Sequence, residues 1–406
     1  MSDYRPLSDS EAHRELFHDF VTYAFRPQAG PPEYDPEEVN EEKRKLGDKR
    51  GLFEDDEALC VCQHYWFETT LRGVDVEMPG LSAVASPPEH RRGGNIRQLL
   101  VDSLTEYRER DAPVCALWPF SYGFYHRYGW DTSNHRSEVT FDPEVLEPVL
   151  ADHEPRGSFR NLDPDDWAAV AAVYDEMTGD EDLAIDRTER WWRYRCFSGW
   201  EQDPFVYGWE RDGEVRGYVI YEVGKDGDER TMNAWEVGFV DHEAYLECLR
   251  FCYNHDSQVG EVSISGGTDP LLLDLVDDPA DLTVTQKTGA MVRVVDVVDA
   301  LETVPYPAGT ESTLTFEVVD PLVDWNDCRF TLRVEDGDGT CAPTAAKDTV
   351  EPDVRLDVAA LSQLVVGYRG LDRLERTADL AVESVAAREA LKELFPPRET
   401  YVRDFF

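Results

Sequence analysis

A mixed α/β fold made of two similar units and a smaller α+β domain is what this sequence predicts, on three observations. A helix, an antiparallel meander, a glycine-rich turn, a second helix and a buried strand follow one another over residues 1–150. A similar order recurs over residues 151–290, and residues 291–406 read as strands, a hairpin and two helices.

Each element has a local reason. Ser8-Asp9-Ser10-Glu11 fits a capping box, and Leu16, Phe17, Phe20, Val21 and Ala24 then recur at helical spacing until Pro27. Residues 28–50, rich in Pro, Glu and Lys, predict a loop with a short helix. Strands follow at residues 52–53, 58–71 and 74–85, punctuated by Asp55-Asp56 and Arg72-Gly73. After Ser86-Pro87-Pro88 comes His90-Arg91-Arg92-Gly93-Gly94-Asn95, then Ile96, Leu99, Leu100, Leu104 and Tyr107 on one helical face. A buried strand at 113–118, an aromatic turn at 121–130 and a last strand at 138–141 close the first unit.

The second unit predicts helices at 165–177 and 188–197, strands at 205–210, 217–223 and 230–240, a helix at 242–253 and a strand at 261–265. Its junction, Val237 to Leu249, has no arginine or glycine turn matching the first unit's, so this copy is predicted to be degenerate and unable to hold a phosphate. In the third region residues 292–298 read as a strand, 328–334 as one arm of a hairpin turning at 335–339, and 356–368 and 386–394 as helices.

Composition narrows the partners. Asp and Glu number 84 against 40 Lys and Arg over 406 residues, a formal charge of −44, which argues against nucleic-acid binding through a basic face. With 41% hydrophobic residues and 10 Trp, 18 Tyr and 18 Phe, the chain has enough apolar surface to fold despite that charge. Only seven of the basic residues are Lys and the acids are spread along the chain, the pattern of a halophile's protein, hydrated in salt so concentrated that the Debye length is about 3 Å. An acidic partner-binding surface is the competing account. No 18-residue apolar run exists and the start lacks a signal peptide's basic-then-apolar order, so a cytoplasmic protein that does not span a membrane is expected. The eight cysteines are scattered; neither Cys60 with Cys62 nor Cys248, Cys252 and His255 offers four convergent ligands, so buried reduced thiols and no metal are expected.

The strongest chemical signal is Arg91-Arg92-Gly93-Gly94-Asn95-Ile96 between a strand and an amphipathic helix. Glycines let successive N–H groups converge, and the helix N-terminus adds about half a positive charge, so a pyrophosphate is a natural guest. The absence of GKS/T and GxGxxG excludes a P-loop and the ordinary dinucleotide fingerprint. A plain helix start with solvated arginines is the alternative.

This turn, preceded by Ala83-Val84-Ala85 at the end of a strand, resembles the acetyl-CoA motif of the GNAT superfamily. Ile96 departs from that pattern's final small residue. The run from Leu81 to Leu100 together with the aromatic turn from Phe124 to Trp130 is similar to the Eis-type (enhanced intracellular survival) acetyltransferases. That resemblance implies tandem GNAT-like mixed sheets with helices and a C-terminal sterol-carrier-protein-like α+β domain, an order the three regions match. It implies that acetyl-CoA lies on Ala83 to Ala85 and Arg91 to Ile96, that the Val84 amide faces the thioester carbonyl, and that Tyr125 is the general acid protonating the departing thiolate. An aromatic packing cluster is the other reading of Tyr125 and its neighbours. The family's serine before that tyrosine aligns with Phe120, with Ser121 one place along.

The same resemblance makes the α-carboxylate of the last residue, Phe406, the general base for an amine acceptor. Phe405 and Phe406 in water would each cost about 1.5 kcal/mol or more, which favours a docked terminus over a frayed one. His90 and His126 are weaker base candidates. The acceptor pocket is expected from Phe20, Tyr23, Phe25, Tyr34, Trp66 and Phe67, and the acceptor from the family's primary amines, small molecules or lysine side chains. Such enzymes are usually homo-oligomers, often hexamers, and the resemblance implies the same here. A catalytically silent CoA-binding protein, or a lipid carrier using the third domain, fits the same sequence.

Overall fold

The computed structural model describes residues 2–37, 40–199, 202–226, 229–344 and 351–406. The strands in chain order are β1 (Asp3–Pro6), β2 (Asp48–Glu54), β3 (Glu57–Leu71), β4 (Val74–Ala85), β5 (Val114–Leu117), β6 (Asp131–Thr132), β7 (His135–Phe141), β8 (Ser158–Asn161), β9 (Phe205–Arg211), β10 (Glu214–Asp226), β11 (Glu229–Phe239), β12 (Glu261–Gly266), β13 (Thr283–Thr288), β14 (Met291–Val294), β15 (Glu311–Val319), β16 (Arg329–Glu335), β17 (Asp338–Pro343), β18 (Val354–Asp357) and β19 (Leu380–Val382). They form two seven-stranded sheets and one of five. The fold is mixed α+β, as the sequence predicts.

The two large sheets share one plan. The first runs β1-β2-β3-β4-β5-β14-β6 and the second, read from β8, β8-β9-β10-β11-β12-β7-β13. Each has one parallel pair at the same place, β4 with β5 and β11 with β12, joined through a helix (Asn95–Arg108 and His242–Tyr253). The sixth places are exchanged. The strand expected to close the first unit, residues 138–141, instead pairs with β12 and β13, while β14, expected to open the third region, pairs with Leu117 to Val114 of β5. Both are short segments, of seven and four residues, and local periodicity does not say which edge a strand will join.

The chain divides into two compact units: Met1–Asn134, Glu181–Ile185 and Ala290–Phe406 form one, His135–Asp180 and Asp186–Gly289 the other. In the first, one core joins Cys60, Cys62, Leu81, Leu99, Leu104, Tyr107 and Trp130 between the sheet and the Asn95–Arg108 helix. Its five-stranded sheet, β17-β16-β15-β18-β19, contains the predicted hairpin, turning through left-handed Asp336 and Gly337. Residues 354–357 are a strand, so the helix expected at 356–368 begins only at Val358, where Asp357 caps it. Likewise the first helix is capped by Ser10, which accepts from the His13 amide, rather than by Ser8. In the second unit, Cys248 and Cys252 are buried in the core and His255 Nδ1 lies 2.8 Å from the Phe251 carbonyl. The expected helix at 188–197 is a single turn, Glu189–Trp191, running into a π-turn.

Candidate functional site

Strand β4 carries the first irregularity of the site. Ala83 has φ +51°, and the register with β3 slips there, Gln63 facing Ser82 and Val61 facing Ala85. Such a bulge removes amides from the ladder and re-aims them. Parallel pairing of β4 with β5 covers only Gly80 with Ala116 and Leu81 with Leu117, after which the strands part. Clefts at the carboxyl ends of parallel strands are where α/β sheets take ligands.

The turn after β4 has the geometry of an anion cradle. Arg92 (φ +63°) and Gly94 (φ +88°) are both left-handed, an alternation that turns successive N–H groups to one side. Gly94 is the N-cap of the Asn95–Arg108 helix, so no side chain satisfies its first amides, and the first turn carries no acidic residue. The loop is braced from behind, by Asn95 Nδ2 donating to the His90 carbonyl (2.9 Å) and Arg91 Nε to the Ser86 carbonyl (2.9 Å). Arg92 and Gly93 are exposed, whereas Ile96 faces inward onto the core, which gives a physical reason for a large apolar residue there. These features fit the diphosphate of acetyl-CoA.

Tyr125 sits on a short helix, Tyr122–His126, whose N-cap is exposed Ser121. The phenol is 3% exposed, with ring contacts to Phe124 (5.1 Å), Phe120 (5.5 Å) and Trp130 (6.2 Å). Burial, with a smaller contribution from Cys62, pushes its pKa well above the ordinary tyrosine value, so it keeps its proton at neutral pH. Fully buried Arg293 on β14 braces the turn, donating to the Tyr128 carbonyl and pairing with Asp320 (both 2.5 Å). His90 lies 3.2 Å from Glu57, and His126 stacks on Tyr122 (5.2 Å) and lies 3.7 Å from Asp131.

The C-terminal segment is threaded into the same unit. Arg72, left-handed at the β3–β4 turn, donates to the Val365 (2.6 Å), Leu364 (2.8 Å) and Pro396 (3.0 Å) carbonyls. Beyond it Arg398 pairs with Asp182 (2.7 Å), Thr400 Oγ1 donates to the Ser133 carbonyl (2.6 Å), and Arg403 pairs with Glu181 (2.5 Å). Trp118, just past β5, donates from Nε1 to the Asp404 carbonyl (2.6 Å). Phe406 is then 5% exposed, its ring 4.9 Å from Phe67 and 5.8 Å from Tyr65, while Phe405 remains 56% exposed against Trp118. Gly80 makes room for it: a Cβ there would lie 2.7 Å from the Phe406 ring.

Of the expected acceptor residues, Phe67 meets Phe406. Trp66, one residue away on β3, faces the opposite side of the sheet, donating to Asp48 (3.0 Å) and packing on Tyr107 (6.0 Å). Tyr23 lies under Arg91 of the turn (5.6 Å), Tyr34 lies beside His18 (5.5 Å), Phe25 is 48% exposed and Phe20 half-buried. Tyr65, Gly80, Trp118 and Arg293 escaped the sequence reading. Tyr65 could have been found by counting two residues back from Phe67, and Gly80 by asking why a strand interior holds a glycine. Among the described residues no group of three or more His, Cys, Asp and Glu side chains could hold a metal, and no helix is long and apolar enough to cross a membrane.

Residues 3–133 match a model of the acetyltransferase (GNAT) domain, residues 183–294 match another model of that description, and residues 297–403 match the sterol carrier protein domain. An uncharacterized N-acetyltransferase of Streptomyces avermitilis is 26% identical over 390 residues, 92% of this chain and 90% of that one. N-acetyltransferase Eis of Mycobacterium tuberculosis is 27% identical over 286 residues, 68% of each. Eis1 of Mycobacterium abscessus superposes over the whole of both chains with a TM-score of 0.76 at 23% identity, and a GCN5-related N-acetyltransferase of Anabaena variabilis does so with 0.82 at 19%. With two acetyltransferase domains ahead of a sterol carrier protein domain, and Eis among its homologues, the chain belongs to the GNAT family of N-acetyltransferases.

Proposed function

We propose that the first unit transfers an acetyl group from acetyl-CoA to a primary amine, of a small molecule or a lysine side chain, with the Phe406 α-carboxylate as general base and Tyr125 as general acid. The observation that carries this reading is the docked C-terminus: a terminal residue 5% exposed, seated over Gly80 beside the parting of β4 and β5. Acetyl-CoA, when bound, supplies the activated thioester. Arg92, the amides of Gly93 to Ile96 and the bulged segment Ala83 to Ala85 would hold it, with Ser121 at the mouth of the aromatic turn. The Phe406 carboxylate takes a proton from the acceptor ammonium, leaving the nitrogen lone pair free to attack. The Tyr125 phenol, kept protonated by burial, gives its proton to the departing sulfur.

We further propose that the enzyme works at high salt, which the dispersed acidity supports, in the cytoplasm, and as a homo-oligomer, which the likeness to Eis supports. The test is acetyl-CoA consumption with a panel of amines in molar KCl, with light scattering on the same sample. Amine-dependent release of free CoA is expected. Binding of acetyl-CoA without turnover for any amine would leave a silent CoA- or lipid-binding protein instead, and a monomer would count against the assembly.

A further inference from the structure

A cavity of about 410 Å³ lies between the Glu11–Phe25 helix and the start of β2. Its apolar wall is Leu7, Phe17 and Val21. Its charged wall carries Arg14, Arg44, Lys45 and Lys49 against only Asp9 and Asp48, in a chain where acids outnumber bases 84 to 40. Two of the chain's seven lysines therefore meet at one cavity.

Several of these cations are already neutralised: Arg44 pairs with Asp9 (2.6 Å) and Glu41 (3.0 Å), Arg14 Nη1 with Glu41 (2.7 Å) and Lys45 with Glu42 (2.7 Å). Three groups keep unused capacity. Lys49 Nζ donates to the Arg44 carbonyl (3.0 Å) and sits over the Phe17 ring (5.1 Å), and forms no ion pair among the described residues. Arg14 Nε and the Tyr34 hydroxyl are buried polar atoms with no hydrogen-bond partner among the described residues. Burial, then the neighbouring Arg44, hold the Lys49 ammonium down to about 8 against the smaller pull of Asp9 and Asp48. Buried polar groups without partners are rare and costly, and all three can donate, so what they lack is an acceptor.

The cavity also has an address. A Cβ on its Gly47 wall would lie 3.0 Å from Tyr65, whose ring is 5.8 Å from that of Phe406. One aromatic side chain thus separates the cavity wall from the terminal residue. We infer that the acceptor is an amine that also carries a carboxylate, the carboxylate seated against Lys49, Arg14 Nε and Tyr34 while the amine reaches toward Phe406 past Tyr65. This rests on the acetyl-transfer reading above for the amine end, and on the cavity alone for the carboxylate end.

The test compares three amines as acceptors, 5-aminopentanoate, pentylamine and 3-aminopropylphosphonate, and measures direct calorimetric binding of N-acetyl-5-aminopentanoate, which needs no turnover. The expected result is a kcat/KM for 5-aminopentanoate about tenfold or more above that for pentylamine, the size of effect a charge-assisted hydrogen bond gives. Lys49→Met should bring that ratio close to one and abolish binding of the N-acetyl probe. Tyr34→Phe, which removes only the hydroxyl, should lower the ratio part of the way and serves should Lys49→Met fail to fold. Probe binding that depends on Lys49, with no amine acetylated, would keep the cavity assignment and sink the acetyl-transfer reading. Equal use of 5-aminopentanoate and pentylamine with no probe binding would overturn the proposal, and a preference confined to the phosphonate would overturn the carboxylate.

Discussion

The junctions before the helices Asn95–Arg108 and His242–Tyr253 occupy the same place in two sheets of the same plan and have opposite chemistry. The first follows a bulged strand, passes through two left-handed residues and begins on a glycine that caps nothing. The second begins on Asp241, whose carboxylate accepts from the Ala244 amide (2.8 Å) and pairs with Arg216 (3.1 Å), with Glu243 adding a further negative charge in the first turn. The first helix N-terminus has no side-chain cap, and the second is capped by the chain's own carboxylate. The two sheets share a strand order while their junctions differ in cap residue and in backbone, so a common fold does not carry a common site.

The largest effect expected from this difference concerns the terminus, which belongs to the first unit alone. Adding one Gly after Phe406 converts its carboxylate into a peptide carbonyl and carries the new one about 3.5 Å further on. Turnover should fall about 10²- to 10⁴-fold while acetyl-CoA affinity, read by calorimetry, stays within error of the unextended protein. Normal turnover would make the carboxylate a bystander and hand the base to a side chain.

Next in size, Tyr125→Phe should lower turnover about 10²-fold with little change in acetyl-CoA binding. In the proposed role the working form of Tyr125 is the protonated one, and burial holds its pKa above the ordinary value near 10, so that form persists as pH rises. The kcat profile should therefore show no loss through pH 8 to 10 from this group. A falling limb centred below pH 9 that disappears in Tyr125→Phe would contradict the assignment.

Smaller again is the effect of charge at the cradle. Arg92→Glu should weaken acetyl-CoA binding about tenfold or more, and calorimetry on the unaltered chain should give one site, in the unit with the open helix. Two equivalent sites would erase the contrast between the junctions.

Much of this contrast was legible in the sequence, because glycines and arginines in one turn and their lack in the other are local facts. The meander, the helix faces and the hairpin were legible for the same reason. What escaped depends on distant partners. The exchange of β7 and β14 rests on pairing with strands far away in the chain, Val262 to Phe141 and Met291 to Leu117, and nothing within either segment records it. Trp66 and Phe67 are neighbours in sequence, yet strand alternation sends them to opposite faces, Trp66 onto Tyr107 and Phe67 onto Phe406. The anchoring of Phe406 by Gly80 and Trp118 joins residues nearly three hundred positions or more apart, and only a three-dimensional fold brings them together.

The smallest effect tests whether the cap alone closed the second junction. Removing the carboxylate in Asp241→Ala frees the Ala244 amide and leaves Arg216 without that partner, so the loss should be that of an ordinary N-cap, about 1 kcal/mol, or about 2–4 °C in Tm. Asp241→Ser, which can still cap, should lose less. Neither variant should gain an acetyl-CoA site. No left-handed residue lies between Phe239 and Ala244, so the strand runs straight into the helix and its amides do not converge as those after Arg92 do. An open N-terminus is then necessary without being sufficient, and the left-handed pair is the second requirement. If Asp241→Ala bound a second acetyl-CoA, the cap would have been the only barrier and the backbone of the first turn would matter less than its charge.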